Sequence, residues 1–128
     1  MATALRALYE STGGALWTDN AGWPPESPCS AHGVGCDGSG RVRSVVLKDN
    51  GLQGTLPAAV AMLHGAYGDL DFSQNAHLSG TVPSELGALT ALKGYLALYS
   101  TSISGTVPSE LGALTALRAL DMADARLA

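Results

Sequence analysis

Residues 79–92 read SGTVPSELGALTAL, and residues 104–117 repeat the same fourteen letters 25 positions later. A closed globular core does not require two identical segments, whereas a stack of like units does. Self-similarity with a period of about 20–50 residues is typical of a solenoid, in which each unit buries its apolar face against its neighbours. The repeat therefore predicts a solenoid, and its period sets the register in which the rest of the chain is interpreted.

The composition fits one folded domain with frequent turns. Hydrophobic residues make up 46% of the 128 residues and charged residues 14%, with sixteen glycines and six prolines. The formal net charge of −4 argues against nucleic acid or an anionic membrane surface as the main partner. The sequence contains no apolar run long enough to span a membrane and no secretory signal at its start. We therefore expect membrane attachment only through a longer parent chain.

Residues 1–41 do not follow the repeat and are interpreted as an N-terminal cap. Apolar residues with the spacing of one helix face predict a short helix over residues 2–10. Residues 15–40 show no regular spacing of apolar residues, and this segment contains Trp17 and Trp23. We expect these two side chains to cover the apolar end of the stack, since each can bury about 150–250 Å². The alternative is an exposed aromatic contact for a ligand.

From Val42 onward the chain follows the template L-x-x-L-x-L-x-x-N-x-L-x-G-x-L-P. The template divides this part into units at 42–66, 67–91 and 92–116 and a partial unit at 117–128. The second unit needs one inserted residue in a turn, and the third needs one near Gly94, where a bulge in the strand would accommodate it.

Each recurring position has a physical reason. The Leu-x-Leu segment predicts a short strand whose two large side chains point into the stack. Asn50 and Asn75 occupy a turn where a side-chain amide bonds the backbone of its own and adjacent turns. Thr101 and Ala125 replace Asn in the later units, so we expect this ladder to weaken toward the C-terminus. The Gly before Thr-x-Pro permits a tight turn, and the Pro suits the start of a helical turn.

These units closely resemble the plant-type leucine-rich repeat, whose hallmark is L-x-G-x-[IL]-P. The segments LQGTLP, LSGTVP and ISGTVP, each followed by a Leu-rich turn, carry the likeness. Residues 28–42, which include Cys29 and Cys36, look like the N-terminal capping domain of the same family. The resemblance implies a right-handed α/β solenoid, with short parallel strands on a concave face, helical or 3-10 turns on a convex face, and a helical N-terminal cap.

The resemblance also implies a disulfide between Cys29 and Cys36, and with it an oxidising compartment. Two alternatives remain on the residues alone. A zinc site built from Cys29, His32, Cys36 and Asp37 has suitable ligand types, although the spacing matches no paired zinc-knuckle pattern. A pair of reduced, buried thiols would accompany an intracellular chain.

In this family the outward positions of the strands line a concave face that binds proteins, peptides or glycans. The corresponding partner-binding candidates are Arg43, Val46, Lys48, Asp69, Asp71, Ser73, Ala97, Tyr99 and Asp121. We expect one residue from each unit to stand in a row across the strands: Val46, Asp71, Ala97 and Asp121. Tyr99 is the strongest anchor candidate, because exposed aromatic residues carry binding energy out of proportion to their number.

The chain contains no recognisable catalytic motif, and we interpret it as a non-enzyme that requires no cofactor. The resemblance favours a non-catalytic recognition module, the N-terminal part of a larger receptor-like or secreted protein at the cell surface or outside the cell. An intracellular repeat scaffold with no ligand of its own is the alternative.

Two further expectations concern other surfaces. Thr55, Thr81 and Thr106 recur beside the repeated glycines and would align as a ladder, which resembles the regular Thr rows of ice-binding solenoids. The last, partial unit would leave an apolar edge at residues 117–127 uncovered. We expect the isolated chain to self-associate through that edge.

Overall fold

A computed structural model describes residues 2–123 and 126–127. Helix α1 spans Ala2–Ser11. The strands are β1 Val34–Cys36, β2 Val42–Val46, β3 Gln53–Thr55, β4 Leu70–Asp71, β5 His77–Ser79, β6 Tyr95–Ala97, β7 Ser104–Gly105, β8 Ala119–Asp121 and β9 Arg126–Leu127. In the described ranges, 3-10 turns lie at Gly14–Leu16, Pro28–Ser30, Ala58–Leu63, Ser84–Ala88 and Ser109–Ala113. None of the helices in those ranges is both long and apolar enough to cross a bilayer.

The largest sheet has the strand order β1-β2-β4-β6-β8. Strands β2, β4, β6 and β8 pair in parallel, one from each successive unit of the repeat. The inward residues Val45, Leu70, Leu96 and Leu120 stand opposite one another, as the template predicts. Strand β1 was not predicted. It comes from the cap, pairs antiparallel with β2 and covers the edge that the first repeat would otherwise expose.

The core is one continuous cluster that runs from α1 through the repeats. A second inward row, Leu47, Phe72 and Leu98, is buried along the same sheet. Helix α1 packs against the 3-10 turn Ala58–Leu63 through the buried residues Leu5 and Leu8. The cap and the first repeat therefore share one core, because each supplies the apolar surface that the other lacks.

The opposite side of the solenoid repeats a turn that begins with proline. Pro57, Pro83 and Pro108 immediately precede the 3-10 turns at Ala58–Leu63, Ser84–Ala88 and Ser109–Ala113. Upstream of these prolines, β3 pairs with β5 and β7 with β9 in two small parallel sheets. The glycine of each L-x-G-T segment has a positive φ, for example 80° at Gly80, which a residue with a Cβ rarely adopts. The repeated Gly and Pro thus have the roles that the template predicts.

The asparagine ladder forms in the described units. The Asn75 side chain is buried, and its Oδ1 accepts hydrogen bonds from the backbone N–H of Asn50 at 2.9 Å and of Leu52 at 3.0 Å. Asn50 extends the ladder into the cap, because its Oδ1 accepts from the Asp19 N–H at 2.8 Å. Thr101 makes only one short bond, from its hydroxyl to the Leu98 carbonyl at 2.8 Å. The ladder therefore weakens along the chain as expected; Ala125 lies outside the described residues.

The cap tryptophans are internal. Trp17 and Trp23 are 5% and 8% exposed, and their rings meet edge to face with centroids 4.9 Å apart. Each indole N–H has a partner, since Trp17 donates to the Thr12 carbonyl at 3.0 Å and Trp23 to the His32 carbonyl at 2.8 Å. The two side chains pack into the core of the cap, and an aromatic ligand contact at these positions is not supported.

The two cysteines form a disulfide, with Cα atoms 5.7 Å apart. Cys29 and Cys36 are therefore neither free thiols nor zinc ligands, which removes both alternatives that the sequence left open. His32 lies instead beside Asp19, with its Nδ1 3.3 Å from the Asp19 Oδ2.

Candidate binding face

The outward face of the main sheet contains the row that the register predicts. Val46 stands opposite Asp71, Asp71 opposite Ala97, and Ala97 opposite Asp121. Because neighbouring strands lie about 4.8 Å apart, this row spans about 14 Å across four strands. Val46 is 39% exposed and Asp121 is also exposed, so the two ends of the row are open to a partner.

Two of the predicted contact residues lie on this face but are covered, which corrects the expectation that they are accessible. Ser73 is 0% exposed because its hydroxyl donates to the Asp71 Oδ1 at 2.5 Å and its backbone N–H bonds the same oxygen. Ala97, within the row, is 4% exposed. Neither side chain is accessible to a partner, so both lie beneath the contact surface.

Tyr99 is half-buried and is held by a neighbouring cation. The Lys48 ammonium lies 5.4 Å from the centroid of the Tyr99 ring, within the range of a cation–π contact. The proximity of the Tyr99 hydroxyl raises the pKa of Lys48, and the ammonium in turn lowers the pKa of Tyr99. The predicted anchor is thus oriented by a predicted contact residue of a different unit.

Two aromatic residues of this face were missed by the sequence analysis. Tyr95 is 46% exposed at the start of β6, and Tyr67 lies one unit earlier, at the same end of the sheet. Neither was among the partner-binding candidates, which began at Asp69 in the second unit and at Ala97 in the third. The alternation of Tyr95, Ala97 and Tyr99 along one strand was the signal that could have identified the first of them.

Tyr67 joins the cap to the repeats. Its hydroxyl donates to the Asp37 Oδ2 at 2.9 Å, and this bond lowers the pKa of Asp37 and raises that of Tyr67. The Arg43 guanidinium lies 5.8 Å from the centroid of the Tyr67 ring. The ring is therefore fixed at one edge by a carboxylate and covered by a cation.

A cleft of about 320 Å³ opens where the strands begin. Its charged and aromatic lining residues are Arg43, Tyr67, Asp69, Lys93, Tyr95 and Arg118. Of the predicted contact residues, Arg43 and Asp69 lie in this cleft, whereas Lys48 and Tyr99 lie further along the same face. The face therefore has two parts, which we call the basic cleft and the central row (Val46, Asp71, Ala97 and Asp121).

A larger depression of about 450 Å³ lies between two of the 3-10 turns, at Ser84–Ala88 and Ser109–Ala113. It is lined by the repeated Ser-Glu-Leu-Gly-Ala sequence, with Glu85 and Glu110 as its charged groups. These residues are explained by the turns that they build, so the basic cleft is the better candidate for a binding site despite its smaller volume.

The threonines that recur beside the repeated glycines are exposed, but they do not stand directly opposite one another across the strands. Thr55, Thr81 and Thr106 all reach solvent. In the backbone pairing, however, Thr55 stands opposite Ser79 and Thr81 opposite Ser104, two residues before the threonine of the next unit. The three side chains therefore form an inclined file rather than a row directly across the strands.

No protein-family model matches the chain. Among solved structures, a plant ice-binding protein superposes with a TM-score of 0.85 at 33% identity, over 98% of this chain and 40% of that one. The PEPR1–AtPEP1 structure gives a TM-score of 0.82 at 29% identity, over 98% and 18%. The leucine-rich repeat ectodomain of the receptor kinase SOBIR1 from Arabidopsis thaliana gives 0.77 at 26% identity, over 98% and 66%.

The chain thus spans between 18% and 66% of the lengths of these three proteins while nearly all of it is matched. The superposition with these structures covers the cap as well as the repeats. This chain itself contains the segments LQGTLP, LSGTVP and ISGTVP and the asparagine ladder. The chain therefore has the leucine-rich repeat fold, and its solved neighbours include plant receptor ectodomains.

Proposed function

We propose that this chain is a non-catalytic recognition module that binds a peptide or protein through the outward face of its five-stranded sheet. The observation that carries the proposal is the placement of Tyr95 and Tyr99 on that face, together with Asp121 on the neighbouring strand β8 and with Lys48, which follows β2 and contacts Tyr99. Aromatic residues provide large contact area at a low cost in conformational entropy and dominate the energetics of many interfaces.

The geometry of the face supports an extended partner better than a compact one. The central row crosses the sheet from strand to strand, and Tyr95 and Tyr99 flank its member Ala97 along the chain, two residues to either side. A peptide lying across the strands would pass between these two rings. A glycan stays an alternative, since aromatic faces also pack on sugar rings.

An extracellular compartment is part of this proposal. Disulfides persist in oxidising environments and are rare in the cytosol. The Cys29–Cys36 bond and the similarity to a receptor ectodomain both support this location.

The test is selection of peptides from a random-sequence phage library on the immobilised chain, followed by titration of the enriched peptides against variants. We expect Tyr95→Ala and Tyr99→Ala each to weaken binding by about tenfold or more, as for interface hot spots. The matched control is Thr106→Ala, an exposed change on another surface, which should leave the affinity unchanged. Enriched peptides that bind both tyrosine variants with unchanged affinity would contradict the proposal, and a failure to enrich any peptide would favour the scaffold alternative.

Ice binding is a second candidate, favoured by one observation. The exposed threonine file occurs in a chain that superposes on a plant ice-binding protein with a TM-score of 0.85. Thermal hysteresis and ice-crystal shaping, measured for the chain and for a Thr55→Ala/Thr81→Ala/Thr106→Ala variant, decide the matter. Hysteresis that disappears in the variant would support ice binding, and its absence from the unmodified chain would exclude it.

A further inference from the structure

The floor of the basic cleft is a row of four residues at the start of the strands. Gly68 donates its N–H to the Arg43 carbonyl at 2.9 Å, Gly94 to the Gly68 carbonyl at 3.1 Å, and Arg118 to the Gly94 carbonyl at 2.9 Å. These bonds place the four residues side by side, with an arginine at each end and two glycines between. Three strand spacings of about 4.8 Å separate the two arginine backbones by about 14 Å.

The two glycines between the arginines allow neighbouring side chains to pack directly against the backbone of the floor. A Cβ built on Gly68 would collide with the Ser44 Oγ, and a Cβ built on Gly94 would collide with the Asp69 carboxylate. Neither glycine has a positive φ, so backbone conformation does not explain them. Their lack of a side chain leaves room for the Ser44 hydroxyl and the Asp69 carboxylate, and both glycines line the cleft of about 320 Å³.

The cleft concentrates positive charge in an acidic protein. Arg43, Lys93 and Arg118 line it, which is three of the seven Lys and Arg residues in a chain of net charge −4. Across the described residues, the one contact within 4.0 Å between a basic side chain and a carboxylate is that of the His32 imidazole with Asp19, so none of the three cations has a carboxylate partner there. Asp69 is the carboxylate of the lining, and its Oδ1 is already used by the Tyr95 N–H at 2.8 Å.

We propose that the basic cleft binds an oxyanion, such as a carboxylate, sulfate or phosphate group, between Arg43 and Arg118 with Lys93 beside it. Guanidinium groups present paired N–H donors that match the oxygen geometry of such anions. The Tyr67 ring already orients Arg43, and the exposed Tyr95 supplies an apolar wall for the group that carries the anion. The role of this subsite in partner recognition rests on the proposed function, whereas its affinity for a free anion does not.

The experiment is an NMR titration of the 15N-labelled chain with sodium sulfate, phosphate or acetate at constant ionic strength. We expect saturable shifts of the backbone amides of Gly68, Lys93, Gly94 and Tyr95. Tighter binding of sulfate and phosphate would assign the cleft to a tetrahedral anion, and tighter binding of acetate would assign it to a carboxylate.

Arg43→Gln/Arg118→Gln should weaken the anion binding by about tenfold or more, because it removes both paired donors. The matched control, Arg6→Gln/Arg41→Gln, also removes two positive charges, at exposed positions outside the cleft, and should bind as the unmodified chain does. Equal melting temperatures for the two double variants show that a loss of binding is not a loss of folding.

Two outcomes would overturn the inference: shifts that never saturate with any of the three anions, or equal weakening in both double variants, which would indicate a general charge effect. Anion binding without any selected peptide would refute the proposed function and leave the anion site standing. Peptide binding through the two tyrosines without anion binding would refute the anion site and leave the proposed function standing.

Discussion

Asn75 is the side chain whose removal tests the interpretation of the stack most directly. It is 1% exposed and connects two successive turns of the solenoid. Its Oδ1 accepts from the backbone N–H groups of Asn50 and Leu52, and its Nδ2 donates to the carbonyls of Leu47 and Phe72 at 3.0 and 2.8 Å. Asn75→Ala leaves these groups buried without their partner.

The magnitude follows from the two orphaned donors. A buried polar group left without a partner costs about 1–3 kcal/mol, so we expect Asn75→Ala to lower the free energy of unfolding by about 2–6 kcal/mol. Thr101 occupies the equivalent position one unit later and makes one short bond, with a second contact to the Ile103 N–H at 3.4 Å. Thr101→Ala is therefore the matched control, with an expected loss of about 1 kcal/mol.

Urea unfolding followed by circular dichroism measures both losses. Hydrogen exchange adds a local measurement, because the amides of Asn50 and Leu52 should lose protection in the Asn75 variant. If Asn75→Ala does not fold, Asn75→Thr reproduces the bonding of the third unit and should show an intermediate loss. A change below about 1 kcal/mol for Asn75→Ala, with both amides still protected, would refute the ladder as a source of stability.

Four further outcomes are expected. Leu96→Ala should cost about 2–5 kcal/mol in denaturant melts because the side chain is 0% exposed, whereas Leu120→Ala, in the same row but 42% exposed, should cost less than about 1 kcal/mol; equal losses would contradict the assigned core. The Tyr67 hydroxyl holds the pKa of Asp37 below its ordinary 3.8. As the pH falls, the unfolded chain therefore binds a proton at Asp37 before the folded chain does. The stabilisation is complete above the ordinary pKa of Asp37 and is lost as the pH falls through the lowered pKa of the folded chain. Asp37→Asn should flatten this acid limb in melts recorded against pH, and an unchanged limb would exclude Asp37 as its source. Reduction of the cap disulfide, which closes a loop with a sequence separation of 7, should lower stability by about 2–3 kcal/mol, as measured by urea unfolding with and without reductant. Sedimentation of the isolated chain at tens of micromolar should show self-association that Leu120→Ser reduces, and a monodisperse monomer would count against it.

The periodic part of the fold could be predicted because it depends on local rules that recur. Each unit supplies two inward apolar residues and a glycine and proline at fixed spacing, so the register of Val45, Leu70 and Leu96 follows from counting alone. The cap was predicted less completely. Strand β1 exists only because β2 offers it a free edge, and a segment of three residues carries no periodic signal of its own.

The binding face shows the same division. The sequence determined which residues share a row, because side chains alternate along a strand and the units stack in register. Only the tertiary structure decided which of them reach solvent, since Ser73, which is hydrogen-bonded to Asp71, and Ala97 are both buried.

The sequence by itself determined that this protein is a capped leucine-rich repeat stack with aligned strands, because a repeated pattern specifies the same local conformation in every unit. The same register relates Arg43, Gly68, Gly94 and Arg118, because each stands two residues before Val45, Leu70, Leu96 or Leu120. Only the tertiary structure showed that a cleft opens above this row and that Lys93 and Tyr95 also line it. Whether such a space stays open depends on how the side chains of adjacent units pack, which no single segment determines.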